Sequence, residues 1–224
     1  MSQNNTSLQP VWDIPVRLGH WLMVLLFAVC WWSGENHEMT WHRYAGYGLL
    51  GIVLFRLYWG VVGTRTARFS NFVSSPKAAL TYARNHIFKS NYDENRPNKA
   101  GHNPLGAWSV IALLGFILLQ IGLGLFAVDV DGFDGGPLSD FVSYDTGRLC
   151  AEIHEISFSI LMTLIVVHIA AIAYYKLVRK QNLVPAMIHG KANISQSEAI
   201  KATPWLRVLI GAAVATLIVW IIAK

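Results

Sequence analysis

Long apolar runs separated by polar connections dominate this chain. Residues 17–34, 43–62, 105–127, 153–175 and 204–223 are each long enough for the roughly 20 helical residues that cross a hydrocarbon core of about 30 Å. Proline supports these limits. Pro10 and Pro15 precede the first run, Asn103-Pro104 opens the third as a cap with a first-turn proline, and Thr203-Pro204 opens the fifth the same way. Ser75-Pro76 marks a further helix start. The segment KAALTYARNHIFK then places Leu80, Ala83, Ile87 and Phe88 on one side and Lys77, Arg84 and Lys89 off it, the pattern of a short helix lying on a membrane surface. The leader MSQNNTSLQPVWDIPV has no Lys or Arg, and no small-residue cleavage site follows WWSGE, so the first run reads as a retained span.

Composition agrees: 54% of residues are hydrophobic and 14% charged, where soluble domains carry about 25% charged. Charge placement then orients the chain. Arg65, Arg68, Lys77, Arg84, Lys89, Arg96 and Lys99 lie between the second and third runs, and Lys176, Arg179, Lys180, Lys191 and Lys201 between the fourth and fifth. The other side has Arg43, Arg148 and Lys224 but most of the acids, including Glu35, Glu38, Asp129, Asp131, Asp134, Asp140, Asp145 and Glu152. The positive-inside rule predicts a cytoplasmic N-terminus and a C-terminus on the opposite face. The net charge of +5 is split between loops instead of gathered on one patch, so no nucleic-acid partner is expected.

Cys30 and Cys150 form no C-x-x-C or C-x-x-C-H pattern, which excludes a disulfide framework and covalent haem attachment; both read as packing residues. The acidic stretch DVDGFDGGPLSD fails as a calcium loop. Counting from Asp129, Phe133 falls where a ligand is needed and Asp134 where glycine is needed, so the stretch reads as a flexible acidic loop.

Histidine placement carries the chemistry. His37, His86 and His189 fall in predicted loops or helix ends, and His102 at an interface, whereas His20, His42, His154 and His168 lie in or at spans. Ionisable side chains there are costly and mark functional sites or satisfied core positions. In HEISFSILMTLIVVH, His154 and His168 are 14 residues apart. That is about 1400° of helix, some 40° short of four turns, so they share a face about 21 Å apart along the axis. By depth the four group as His42 with His154 near the outer side and His20 with His168 near the cytoplasmic side. Facing imidazoles at one depth are what a six-coordinate haem requires. Gly46, Gly48 and Gly51 after His42, and Gly115, Gly122 and Gly124 in the third span, are small enough to leave room for a flat ring or for close helix packing. Arg17 and Arg56 are placed to pair with carboxylates on such a ring or to snorkel to the interface.

RLGHW at 17–21, WHRYAGYGLLGIVLFRLYWGVVG at 41–63, GHNPLG at 101–106 and the paired histidines of span four resemble the bacterial di-haem b-type cytochromes. That family includes cytochrome b561 and the membrane subunit of nickel–iron hydrogenases. The resemblance implies an all-α membrane protein of the bacterial inner membrane: a four-helix haem-binding transmembrane bundle at residues 1–191, and a C-terminal linker with a fifth transmembrane helix at 192–224. It further implies two b haems on His20, His42, His154 and His168, and electron exchange between quinone and a partner such as a hydrogenase-like redox subunit. Separately, the 128–149 loop, with five Asp and one Arg, reads either as a surface for a basic partner such as a periplasmic cytochrome c or as a solvated loop. His102 is a candidate hydrogen-bond donor to a quinone oxygen, and Asn103 a cap for span three. The chain reads as an electron-transfer subunit of a larger oxidoreductase. Two rivals stand beside this reading: a transition-metal transporter using intramembrane histidines, and an anchor whose haem is structural.

Overall fold

In an apolar solvent every backbone N–H and C=O must be bonded within its own segment, which drives long apolar runs into helices. The computed structural model describes residues 6–87, 101, 103–132 and 134–224. In chain order the elements are β1 (Thr6–Pro10), α1 (Ile14–Glu35), α2 (Met39–Val62), α3 (Phe69–Phe72), α4 (Pro76–Ile87), α5 (Pro104–Phe126), α6 (Tyr144–Leu177), α7 (Val184–His189), β2 (Lys191–Ser195) and α8 (Trp205–Ile222). Among the described residues α1, α2, α5, α6 and α8 are long and apolar enough to cross a membrane. Their outer faces stay uncovered, as lipid-facing surfaces do: Leu209 is 65% exposed and Val166 60%.

The fourth span departs most from its expected limits. It begins at Tyr144, well before residue 153, and so contains Cys150. Ser143 starts it, its Oγ accepting the Thr146 N–H at 3.3 Å, with Asp145 in the positive first turn. These first turns are polar, and a search for apolar runs passes over them. The acidic stretch before it is a built turn. Val128 bridges Gly135, the Asp129 N–H donates to Asp134 O at 2.9 Å, and Asp134 forms an ion pair with Arg43.

Two compact units are present. One comprises residues 1–18, 58–111 and 168–208; the other comprises 19–57, 112–167 and 209–224. The first unit is organised around Asp13, which is 3% exposed. Its Oδ1 caps α1 by accepting the Val16 N–H at 2.8 Å, and its Oδ2 accepts Trp59 Nε1–H at 2.9 Å and the Thr64 hydroxyl at 2.5 Å. Asp-Ile-Pro is a cap with proline in the first turn. Strand β1 pairs antiparallel with β2, Thr6 opposite Ser195 and Pro10 opposite Lys191. The chain then continues onto Gly190, whose carbonyl accepts the Val11 and Trp12 N–H groups at 2.8 and 3.1 Å. Gly190 ends α7 at φ +81°, and a Cβ there would lie 2.7 Å from Trp12 O, so glycine is required twice over.

Asn103 caps α5: its Oδ1 accepts the Gly106 N–H at 2.7 Å, and its Nδ2 donates to the Tyr175 hydroxyl at 2.7 Å. Helix α4 starts where Ser75-Pro76 predicts, but among its described side chains Ala79 is the buried one and Leu80 is 72% exposed. Phe88 and Lys89 of the expected amphipathic pattern lie outside the described residues.

Replacing Asp13 by Ala removes the cap and strands two buried donors. We expect a loss of at least about 2 kcal/mol, read as a lowered thermal midpoint in detergent. Asp13→Asn, which keeps one acceptor oxygen, should lose less.

Candidate functional site

Two helical hairpins of the second unit present the central pair of histidines. Helix α1 ends at Glu35 and α2 begins at Met39, a connection short enough to make them antiparallel neighbours. It turns through His37, held at φ +57°, with the Glu38 N–H on Ser33 O at 2.8 Å. Helices α5 and α6 are joined through the acidic turn, whose Gly136 and Leu138 N–H groups bond Ala127 O and Leu125 O, each at 2.8 Å.

Within each hairpin a histidine reaches across to the partner helix. His42 Nδ1 lies 2.9 Å from Cys30 O, and His154 Nδ1 lies 2.9 Å from Gln120 O. A carbonyl has no proton to give, so Nδ1 is the protonated nitrogen in both rings and Nε2 keeps its lone pair. The two rings meet edge-on between hairpins, with centroids 6.2 Å apart and planes at 68°. Phe27 of α1 stacks on Phe158 of α6 with centroids 6.2 Å apart.

Small residues surround the rings. A Cβ on Gly34 would lie 3.4 Å from His42 Nδ1, and one on Gly124 would lie 3.0 Å from His154 Cε1. Gly46, Gly115 and Gly122 border open space, since a Cβ on any of them would meet nothing within 4 Å. Gly48 and Gly51 instead pack against Leu26 and Val219. Gln120 and the buried Ser157, both passed over in sequence reasoning, steady His154. The Ser157 hydroxyl donates to Gln120 Oε1 and lies 3.1 Å from His154 O. Their signal was a polar side chain in each of two facing spans.

The remaining expected residues are placed as follows. His20 is half-buried on α1 in the second unit, edge-on to Trp21 with centroids 5.0 Å apart. His168 is half-buried on α6 in the first unit. Arg56, on α2 in the second unit, is 8% exposed. In the first unit Arg17 Nη1 donates to Ile188 O at 2.5 Å, and its Nε is buried without a hydrogen-bond partner. His102 lies outside the described residues. Among the described residues no three His, Cys, Asp or Glu side chains gather as ligands of a bare metal ion.

A sequence profile of the prokaryotic cytochrome b561 family matches residues 11–190. The chain belongs to that family. It is therefore a multi-pass bacterial membrane protein, a b-type cytochrome of electron transfer. The probable Ni/Fe-hydrogenase B-type cytochrome subunit of Azotobacter chroococcum mcd 1 is 24% identical over 207 residues, covering 80% of this chain and 86% of that protein. No solved structure matches the chain.

The His42–His154 pair fits the b-type haem that the family implies. Two imidazoles with centroids 6.2 Å apart, each with Nδ1 on a helical carbonyl, are the donor set that would hold a haem iron. Carbonyl-bonded Nδ1 atoms are the usual support for a ligating imidazole.

Ser157→Ala should leave the Gln120 side chain without its buried donor. We expect a cost of about 1–3 kcal/mol, measured as a lower thermal midpoint, with the helical circular dichroism at 20 °C unchanged.

Proposed function

We propose that this cytochrome passes electrons between the quinone pool and a partner redox protein through two bis-histidine b haems. The observation that carries the reading is the His42–His154 ring pair, tautomer-fixed on both sides. These residues would hold one haem. His20 and His168 are assigned to the second on their spacing and depth in the sequence, with Arg17 and Arg56 toward propionates. Bound haem supplies a one-electron couple.

The chain's own part would be to hold the iron through paired imidazole nitrogens, which would leave no site for oxygen or other small ligands, and to exclude water with apolar helix walls. Cys30 O and Gln120 O orient the imidazoles and make them more basic. A pair of carbonyl-oriented imidazoles would suit a haem iron, whereas ion transport calls for tighter ligand clusters. The likeness to a hydrogenase cytochrome subunit supports a hydrogenase-like partner. A periplasmic cytochrome c is the second partner class, favoured by the acidic 128–149 segment. The placement of basic loops supports a cytoplasmic N-terminus and a periplasmic C-terminus. The 192–224 segment is read as an appendage to the haem-binding bundle of residues 1–191, outside the stretch matched by the family profile.

A pyridine haemochrome assay should give two b haems per chain. His42→Ala and His154→Ala should each keep one haem, and so should the double variant, whereas His42→Ala with His20→Ala should keep none. Retention of both haems in the single variants would refute the pairing. Reduction of the signal by a quinol within turnover time is expected, and an unresponsive signal would leave only a structural haem.

A further inference from the structure

Both halves of the histidine pair are built on the same local pattern, and the pattern includes a glycine. In an α-helix the carbonyl of residue i accepts the N–H of residue i+4 and keeps a second lone pair. The Cα–Cβ bond of residue i+4 tilts back toward the helix N-terminus, so its side chain covers the turn that contains that oxygen. A helical carbonyl is therefore screened from a bulky lateral donor unless position i+4 lacks a side chain.

His42 bonds the carbonyl of Cys30, and position i+4 from Cys30 is Gly34. His154 bonds the carbonyl of Gln120, and position i+4 from Gln120 is Gly124. Both carbonyls and both glycines lie within regular helix, on α1 and α5. In each case the missing Cβ would meet the imidazole itself: at ordinary contact, 3.4 Å from His42 Nδ1, at Gly34, and more tightly, 3.0 Å and 3.3 Å from His154 Cε1 and Nδ1, at Gly124.

We propose that Gly34 and Gly124 are positioning residues for the haem ligands: each uncovers the carbonyl four residues before it, so that an imidazole from the neighbouring helix can bond it through Nδ1–H. The inference rests on the proposed role of His42 and His154 as axial ligands. Its consequence is electronic as well as steric. An Nδ1–H bonded to a carbonyl makes Nε2 a stronger donor, which favours the oxidised metal and lowers the reduction potential. A methyl group at position 124 pushes the ring off the carbonyl and weakens that donation, whereas one at position 34 only crowds the ring at contact distance. Gly124 has the closer contacts, so its substitution acts more strongly than that of Gly34.

The test is redox titration of the haem-loaded wild type, Gly124→Ala, Gly34→Ala and Gly51→Ala, with haem content measured alongside. Gly51 is the control, because its Cβ would make an ordinary 3.5 Å contact with Val219, away from both imidazoles. Gly124→Ala should raise the potential of one haem by about tenfold in its equilibrium constant, about 59 mV for one electron. Gly34→Ala should shift the same haem in the same direction by less, and Gly51→Ala should shift neither.

Unmoved potentials with both haems present would overturn the proposal, as would equal shifts in all three variants. A wild type with no b-type signal would sink the ligand assignment instead, so the two failures are distinct. A measurement on the wild type guards against variants that do not assemble. The redox-difference infrared band of histidine, identified by ¹⁵N-histidine labelling, should report strongly bonded Nδ1–H groups on one haem's ligands; weakly bonded groups throughout would overturn the proposal.

Discussion

A neutral imidazole in an apolar bundle carries one N–H that water cannot satisfy, and helical carbonyls are the abundant acceptors there. His42 and His154 resolve this by donating Nδ1–H to Cys30 O and Gln120 O. That bond fixes the tautomer, aims the ring and leaves Nε2 with its lone pair. Much of the site follows from it. The hairpins must bring α2 beside α1 and α6 beside α5, the glycines must leave the carbonyls reachable, and the rings then meet at 6.2 Å. Side chains that touch neither ring serve the same end: Ser157 holds Gln120 against α6.

The two units solve different problems. The second holds the histidine pair among apolar helices, where Cys30 O and Gln120 O take the imidazole N–H groups. The first is built around a buried carboxylate and a two-stranded ribbon, which tie the chain before α1 to the segment between α6 and α8. Asp13 and Gly190 do here what apolar packing does poorly in a lipid solvent, where one apolar surface gains little by leaving another. Directional hydrogen bonds to tryptophan, threonine and backbone give the first unit a defined geometry.

Several readings made from sequence took on a different physical content. The acidic stretch expected to be flexible is a hydrogen-bonded turn anchored by Arg43, because Asp129 and Asp134 bond each other's backbone before any ligand is needed. The glycines expected to make room for a ring divide into distinct roles. Gly46, Gly115 and Gly122 border open space, Gly124 admits an imidazole, and Gly48 and Gly51 pack against other helices. Arg17 already holds Ile188 O while keeping one buried nitrogen open.

Span number, the limits of four spans, the cap at Asn103 and the histidines themselves were legible from sequence, because each depends on local composition and on helix periodicity. The start of α6, the β1–β2 ribbon and the burial of Asp13 were not. They depend on polar residues whose partners lie far along the chain, and a sequence pattern does not announce a distant partner. The tautomers of His42 and His154 belong to the same class. Sequence named the rings, but only the tertiary structure decided which carbonyl each would meet, since that is set by which helix lies beside it and by where that helix lacks a side chain.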